Sequence, residues 1–278
     1  MREKITLYKG KVTIWFIDNE GRIKHSYYHD KNGEADLSRR IISNTGATGM
    51  IDKSTPMKFW AVNKSIDFLL EKLKTEEAIS EPLLEEARKQ HTVFTEEAKT
   101  SGVEVHDWIK GFIEYKLKIE KKIPKMPTDP KVLNGVNGFL RWESDNKVKF
   151  IRCEQIAYSI KYDVGGRFDF DAIINGKFTM ADLKTCNMWK KDKRSPDGFK
   201  RDRKGNLVKT PVYDEQKYQV AGYRMEMEEE YGKVYEGDRI ILRLDKDFGE
   251  FDPVQLDDYK TDKKGFLACV CLKRIKKN

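Results

Sequence analysis

Residues 6–17 are rich in β-branched and aromatic side chains, Asp18, Asn19, Glu20 and Gly21 supply turn chemistry, and residues 22–28 return to a strand-like pattern. The chain therefore opens on a predicted β-hairpin. After a polar stretch the period changes, and Phe59, Trp60, Val62, Ile66, Leu69, Leu70 and Leu73 recur at close to helical spacing. Helical patterns continue over 76–99 and 102–120 until Pro124, Pro127 and Pro130 break them. A short helix is predicted over 134–142. From position 147 the texture becomes strand-like, with Val148, Phe150 and Ile151, then Ile156 and Tyr158, then residues 165–174 and 178–185. Residues 192–205, with Ser195-Pro196-Asp197-Gly198, read as a polar loop. A helix over 213–231, strands over 239–244 and 251–254 and a last helix from about 257 complete the order. The fold class is mixed α/β. The whole chain, 1–278, reads as one domain: a hairpin and helical region over 1–100, and a β-hairpin-centred core over 101–278 with an insertion at 185–212.

Most of the chemistry gathers on one predicted hairpin. Asn175-Gly176 between two strand-like runs is a strong signal for a two-residue type I′ turn. With that turn Ile174 faces Lys177, and the register carried outward sets Asp169 opposite Asp182. Alternation places Phe168, Phe170 and Ala172 on one face with Ala181 and Leu183, and Asp169 and Asp171 on the other with Asp182 and Lys184. Like charges directly opposed, with Cβ atoms about 5 Å apart, destabilise a sheet. A divalent cation between Asp169 and Asp182 resolves the conflict, and Mg²⁺ or Mn²⁺ suits a hard carboxylate site. Lys184 lies about 6.6 Å further along the same face, placed to work on an attacking water or to neutralise a phosphate. Asp171 falls opposite Met180, farther from the centre.

Composition narrows the context. The 278 residues are 38% hydrophobic and 36% charged with a formal net charge of +8, so a sizeable core and a basic, water-facing surface are expected. No apolar run approaches the roughly 20 residues of a membrane span. Met1-Arg2-Glu3-Lys4-Ile5 lacks the apolar stretch of a secretory leader, so a cytoplasmic location is expected. The charge is local. Between Thr185 and Thr210 nine basic residues stand against three acidic ones, and the tail adds Lys273, Arg274, Lys276 and Lys277. Such segments mark where a polyanion would lie, with Lys190, Lys191, Lys193 and Arg194 as candidate phosphate contacts. Cys153, Cys186, Cys269 and Cys271 form no C-x-x-C pair, and no Walker A sequence G-x4-G-K-S/T occurs.

Gly166-Arg167-Phe168-Asp169, Asp182-Leu183-Lys184 and Gln219-Val220-Ala221-Gly222-Tyr223 resemble the G-x-h-D, D-h-K and Q-x3-Y motifs of RecB-type nucleases in the PD-(D/E)xK superfamily, which includes mitochondrial, phage and bacterial exonucleases. Gly102-Val103-Glu104-Val105-His106 is similar to their helical G-x3-H motif, and Glu154 stands where they carry an acid ahead of the first core strand. The resemblance implies an αβββαβ core with Asp169, Asp182 and Lys184 catalytic. It implies a metal shell of Asp169, Asp182 and the Leu183 backbone carbonyl, with His106 and Glu154. Gln219 and Tyr223, one helical turn apart, would support Lys184 or touch DNA. The cysteine spacing departs from relatives with an iron–sulfur cluster, so none is expected. The expected activity is a Mg²⁺- or Mn²⁺-dependent exonuclease on single-stranded DNA or DNA ends, in recombination, repair or replication, with DNA as partner and no membrane. A structure-selective or restriction-type endonuclease and a non-cleaving DNA-binding protein are the alternatives.

Overall fold

The structure is a computed structural model of the 278-residue chain and describes every residue except 19–24, 76–77, 193, 233–234, 236, 238 and 277–278. Its N-terminal strands are β1 (Arg2–Leu7), β2 (Val12–Asp18), β3 (His25–Lys31) and β4 (Glu34–Ser43), paired antiparallel in sequence order. The single hairpin expected here is thus a four-stranded meander. The predicted run over 6–17 is interrupted at Tyr8, Lys9 and Gly10, whose φ values of 53°, 56° and 91° turn the chain back on itself. Asn32 and Gly33, at φ 56° and 89°, make a second tight turn inside the polar stretch. β4 escaped the pattern because most of it faces solvent and only Ile41 and Ile42 reach the core. The turn expected at 18–21 lies largely outside the described residues.

After α1 (Asn44–Thr48) come α2 (Ser54–Leu73) and α3 (Glu81–Lys116). α3 is one 36-residue helix where two were expected. Thr100, Ser101 and Gly102 look like a break, but the Thr100 and Ser101 hydroxyls donate back to the Glu96 and Glu97 carbonyls at 3.0 Å, within the helix. Gly102 faces a strand so closely that a Cβ there would lie 3.0 Å from Thr185 Oγ1. α4 (Pro130–Asp145) starts four residues before the predicted helix, with Pro130 in its first turn and Asp129 Oδ1 accepting from Lys131 N at 2.9 Å and Val132 N at 3.0 Å.

The central strands β5 (Val148–Ser159), β6 (Val164–Ile174) and β7 (Lys177–Cys186) pair antiparallel, with β6 between the other two. α5 (Asp214–Tyr231) then crosses over to β8 (Arg239–Asp245), which pairs parallel to β7. β9 (Phe251–Leu256) and α6 (Tyr259–Ile275) close the chain. β4 joins β6 in parallel, completing a mixed nine-stranded sheet. Val105, Ile109 and Phe112 of α3 and Val136, Phe139 and Trp142 of α4 cover one face of the central strands, against Phe170, Ala181 and Leu242. Val220, Tyr223 and Met227 of α5 cover the other, against Phe168, Met180 and Ile241.

Glu226 of α5 is fully buried, and among the described residues its carboxyl group has only the Asn44 amide beside it, with no hydrogen bond of good geometry. Burial pushes its pKa well above the usual carboxylate range, and the buried Asn44 amide offsets only part of this. The folded protein therefore keeps a proton on Glu226 that the unfolded chain releases above its ordinary value of 4.5. The sign follows: stability falls as pH climbs from that value toward the folded one, by at most about 1.4 kcal/mol per unit. Glu226→Gln is expected to remove this slope, so that its advantage in Tm over the parent grows between about pH 5 and pH 8. A variant whose Tm difference from the parent does not change across that range would contradict it.

Candidate active site

The β6–β7 turn has the predicted form, with Asn175 at φ 48° and Gly176 at φ 85°. From it the register runs Ile174–Lys177, Ile173–Phe178, Ala172–Thr179, Asp171–Met180 and Phe170–Ala181. It stops there, one step short of Asp169 and Asp182. The Leu183 N–H donates to Asp169 Oδ2 at 2.6 Å, so a carboxylate side chain stands where a backbone partner would otherwise be. On the far side, the β5–β6 register skips the pair Glu154 and Asp169, between Cys153–Phe170 and Gln155–Phe168, and Glu154 takes a left-handed φ of 50°. This backbone state is uncommon for a non-glycine residue and costs on the order of 1 kcal/mol or more.

Both strands change faces at this irregularity. Phe170 packs under α3 and α4, whereas Phe168 packs under α5; Cys153 and Ala157 divide in the same way. The expectation that Phe168 shares a face with Phe170 and Ala172 is therefore corrected, and so is the direct cross-strand opposition of Asp169 and Asp182. The strands part at that level, and the two acids line the opening.

Three cationic side chains surround it. His106, one turn after Gly102 on α3, brings Nδ1 to 3.6 Å from Asp169 Oδ1. Lys184 Nζ lies 2.5 Å from Asp182 Oδ2. Arg167 Nη1 is 3.7 Å from Glu154 Oε2, with its guanidinium 4.2 Å above the Phe16 ring. Burial pushes the Asp182 carboxyl up, and the Asp169 charge adds to this against the pull of Lys184. Burial acts the same way on Asp169, but the charge and hydrogen bond of His106, with Lys184 and the Leu183 N–H, hold it below the usual range. The Lys184 ammonium is raised, since Asp182 and Asp169 outweigh its own desolvation. His106 is raised against its desolvation by Asp169. Glu154 is pushed up to about 7, first by burial and then by the Asp169 charge.

The remaining candidates divide. Gln219 Nε2 donates to Tyr223 Oη at 2.8 Å and to Thr45 Oγ1 at 3.3 Å, so these bonds tie α5 to itself and to α1 rather than to Lys184. Tyr223 is 3% exposed and packs on Phe168. A Cβ on Gly166 would sit 2.8 Å from its Cε1, which explains a glycine there. Lys190 and Lys191 lie in an irregular β-paired insertion with bridges Trp189–Lys209, Lys191–Phe199 and Arg201–Leu207, where a plain loop was read. Lys191 is 3.6 Å from Asp247, and the exposed Arg194 is 3.3 Å from Asp192. Lys193 lies outside the described residues. The contact of Arg167 with Glu154 has no signature in the sequence, because a single basic residue on a strand carries no pattern that would single it out. Asp171 belongs elsewhere: fully buried, it accepts from Arg152 Nε at 2.9 Å and from the Tyr235 hydroxyl at 2.9 Å.

Among the described residues no group of three or more His, Cys, Asp or Glu side chains stands at metal-binding spacing. The buried Asp182 and the partly buried Asp169 offer two carboxylates where β6 and β7 part. That donor set, all hard oxygen, fits Mg²⁺ or Mn²⁺, since Mg²⁺ is commonly held by one or two carboxylates and completed by waters and substrate phosphates.

No family model and no curated protein matches the sequence. Solved structures that are similar include a candidate exonuclease from Eubacterium rectale, 14% identical over 63% of this chain and 65% of that one, with a TM-score of 0.41. Another is SSO0001, 14% identical over 81% of this chain and 88% of that one, with a TM-score of 0.28. This chain thus spans slightly under two thirds of the first structure's length.

The two kinds of acid separate by stability. Asp171→Asn leaves the half-buried Arg152 guanidinium without the carboxylate it pairs with and is expected to cost about 3 kcal/mol. Asp182→Asn removes a charge that burial and the Asp169 carboxylate both disfavour and leaves Lys184 the Asp169 charge, so it is expected to change stability by less than about 1 kcal/mol in metal-free buffer. Urea unfolding of both variants checks this; the opposite ranking would show that Asp182, not Asp171, is the structural acid.

Proposed function

We propose that this protein is a Mg²⁺- or Mn²⁺-dependent deoxyribonuclease of the RecB type, an exonuclease acting on single-stranded DNA or DNA ends. The observation that supports it most is the convergence of Asp169, Asp182 and Lys184 where β6 and β7 part, with His106 delivered from α3. The run α4, β5, β6, β7, α5, β8 also follows the αβββαβ order of the PD-(D/E)xK core. Asp169 and Asp182 would hold the cation, with the Leu183 carbonyl, His106 and Glu154 as further members of its surroundings. The cation would supply neutralising charge for the scissile phosphate and a more acidic water at neutral pH.

The chain's own groups do the rest. Asp182 fixes the Lys184 ammonium at 2.5 Å, and an ammonium has three donors, so Lys184 can hold Asp182 while directing another N–H at a phosphate oxygen or an attacking water. Leu183 anchors Asp169 in turn. The basic insertion that leaves the end of β7 offsets the repulsion between these carboxylates and a polyanionic substrate.

End-labelled single- and double-stranded DNA incubated with Mg²⁺, with Mn²⁺ and with chelator tests the reading. Degradation is expected with either metal and none with chelator. Asp182→Ala and Lys184→Ala are each expected to lower the rate at least about 100-fold while keeping the parent's circular dichroism. Full activity in either variant would overturn the assignment. Cutting of circular single-stranded DNA would move it to an endonuclease.

A further inference from the structure

A cavity of about 1020 Å³ opens between the α2–α3 pair and the insertion that follows β7. Six lysines line it, Lys64, Lys131, Lys190, Lys191, Lys200 and Lys246, against three acids, so it presents an excess of positive charge. Three aromatic side chains from three separate segments stand among them: Trp60 of α2, Phe94 of α3 and Trp189 of the insertion. None of the three is buried, and Phe94 is 40% exposed. Trp189 is held in place, since its indole N–H donates to Glu250 Oε2 at 3.0 Å. Lys64 Nζ sits 4.0 Å from the Phe94 ring centroid, bringing an ammonium to the aromatic surface.

Two elements connect residues of this cavity to residues of the acidic cluster. Phe94, Ala98, Gly102 and His106 succeed one another at intervals of four on α3, forming one row of that helix. The first two line the cavity, and the last meets Asp169. From Ala98 to His106 the row covers about 12 Å. On the other side the chain runs from Lys184 to Asn187, another cavity residue, over about 10 Å.

Cations interleaved with exposed aromatic faces are the chemistry that holds a single nucleic-acid strand: ammonium groups follow the phosphates, and every unstacked base offers a ring face. Along its length a duplex presents base edges only, with a free ring face just at its end, and so gains little from a row of ring platforms. Resting on the nuclease reading above, we propose that this groove is the track for a single DNA strand, with bases stacked on Trp60, Phe94 and Trp189 and phosphates on the surrounding lysines, feeding the strand toward Asp169 and Asp182.

The test uses fluorescence anisotropy of a labelled oligothymidylate and of a blunt hairpin duplex of equal charge, with the full-length protein in chelator so that nothing is cut. Trp60→Ala and Trp189→Ala are each expected to weaken oligothymidylate binding about tenfold and to leave duplex binding within twofold. Trp189→Phe is expected to retain most of the affinity, which separates stacking from misfolding. Lys190→Ala with Lys200→Ala is expected to lower the slope of log affinity for oligothymidylate against log salt by about 1.4, whereas the tryptophan variants keep that slope. Unchanged oligothymidylate binding in both tryptophan variants would overturn the track, as would equal losses on single strand and duplex. Cleavage of bis(p-nitrophenyl) phosphate with Mn²⁺, a substrate too small to reach the groove, reads the nuclease centre separately. The tryptophan variants are expected to match the parent on it. If the parent fails to cleave it and both DNAs, the nuclease reading falls while the binding result still decides the track.

Discussion

A sheet cannot hold two carboxylates side by side on adjacent strands and keep its ladder intact, and this protein resolves the conflict with one hydrogen bond. The Leu183 N–H leaves the strand pairing and is taken up by the Asp169 side chain. A charged acceptor makes such a bond worth about 1.5–3 kcal/mol, more than an ordinary backbone pair. Once it forms, β7 is committed to β8 on its other side, and β6 and β7 diverge. The positions of Lys184 and His106 and the face change of both neighbouring strands depend on that divergence.

Charge balance follows from the same geometry. Glu154, Asp169 and Asp182 are set against Arg167, His106 and Lys184, each acid with a cation beside it. The balance is uneven in depth. Asp169 is held below the ordinary range, while Asp182 and Glu154 are raised above it. Negative charge is thus held most firmly on Asp169, while burial and the Asp169 charge favour the protonated form of Asp182 and Glu154 on the strands to either side.

Much of this was legible in the sequence because it is local. Asn175-Gly176 specifies its turn by backbone sterics alone, and the five pairs that follow are counted outward from it. Gly102 and His106 share a helix face through their spacing, and Asp171 was set aside because the register sends it to Met180. What escaped depends on distant partners. Nothing near Glu154 announces that its backbone turns left-handed, and nothing near Phe168 announces that β6 changes faces between Phe168 and Phe170. The continuity of α3 was hidden by Thr100, Ser101 and Gly102, residues that favour breaks in isolation and are tolerated here by back-bonding and by contact with β7. β4 lacked a readable period because most of its side chains face solvent and only Ile41 and Ile42 at its end are buried.

The unbroken α3 also limits how the chain can vary in length. Each residue added to a helix turns everything beyond it by about 100° and advances it by 1.5 Å. Adding one residue between Ala98 and Gly102 would leave both ends of the helix well formed and yet rotate the Phe94 side out of phase with His106. Additions of about seven residues, close to two turns, restore the phase. In this segment insertions and deletions keep the two sites in their relative orientation only when they come in helical steps.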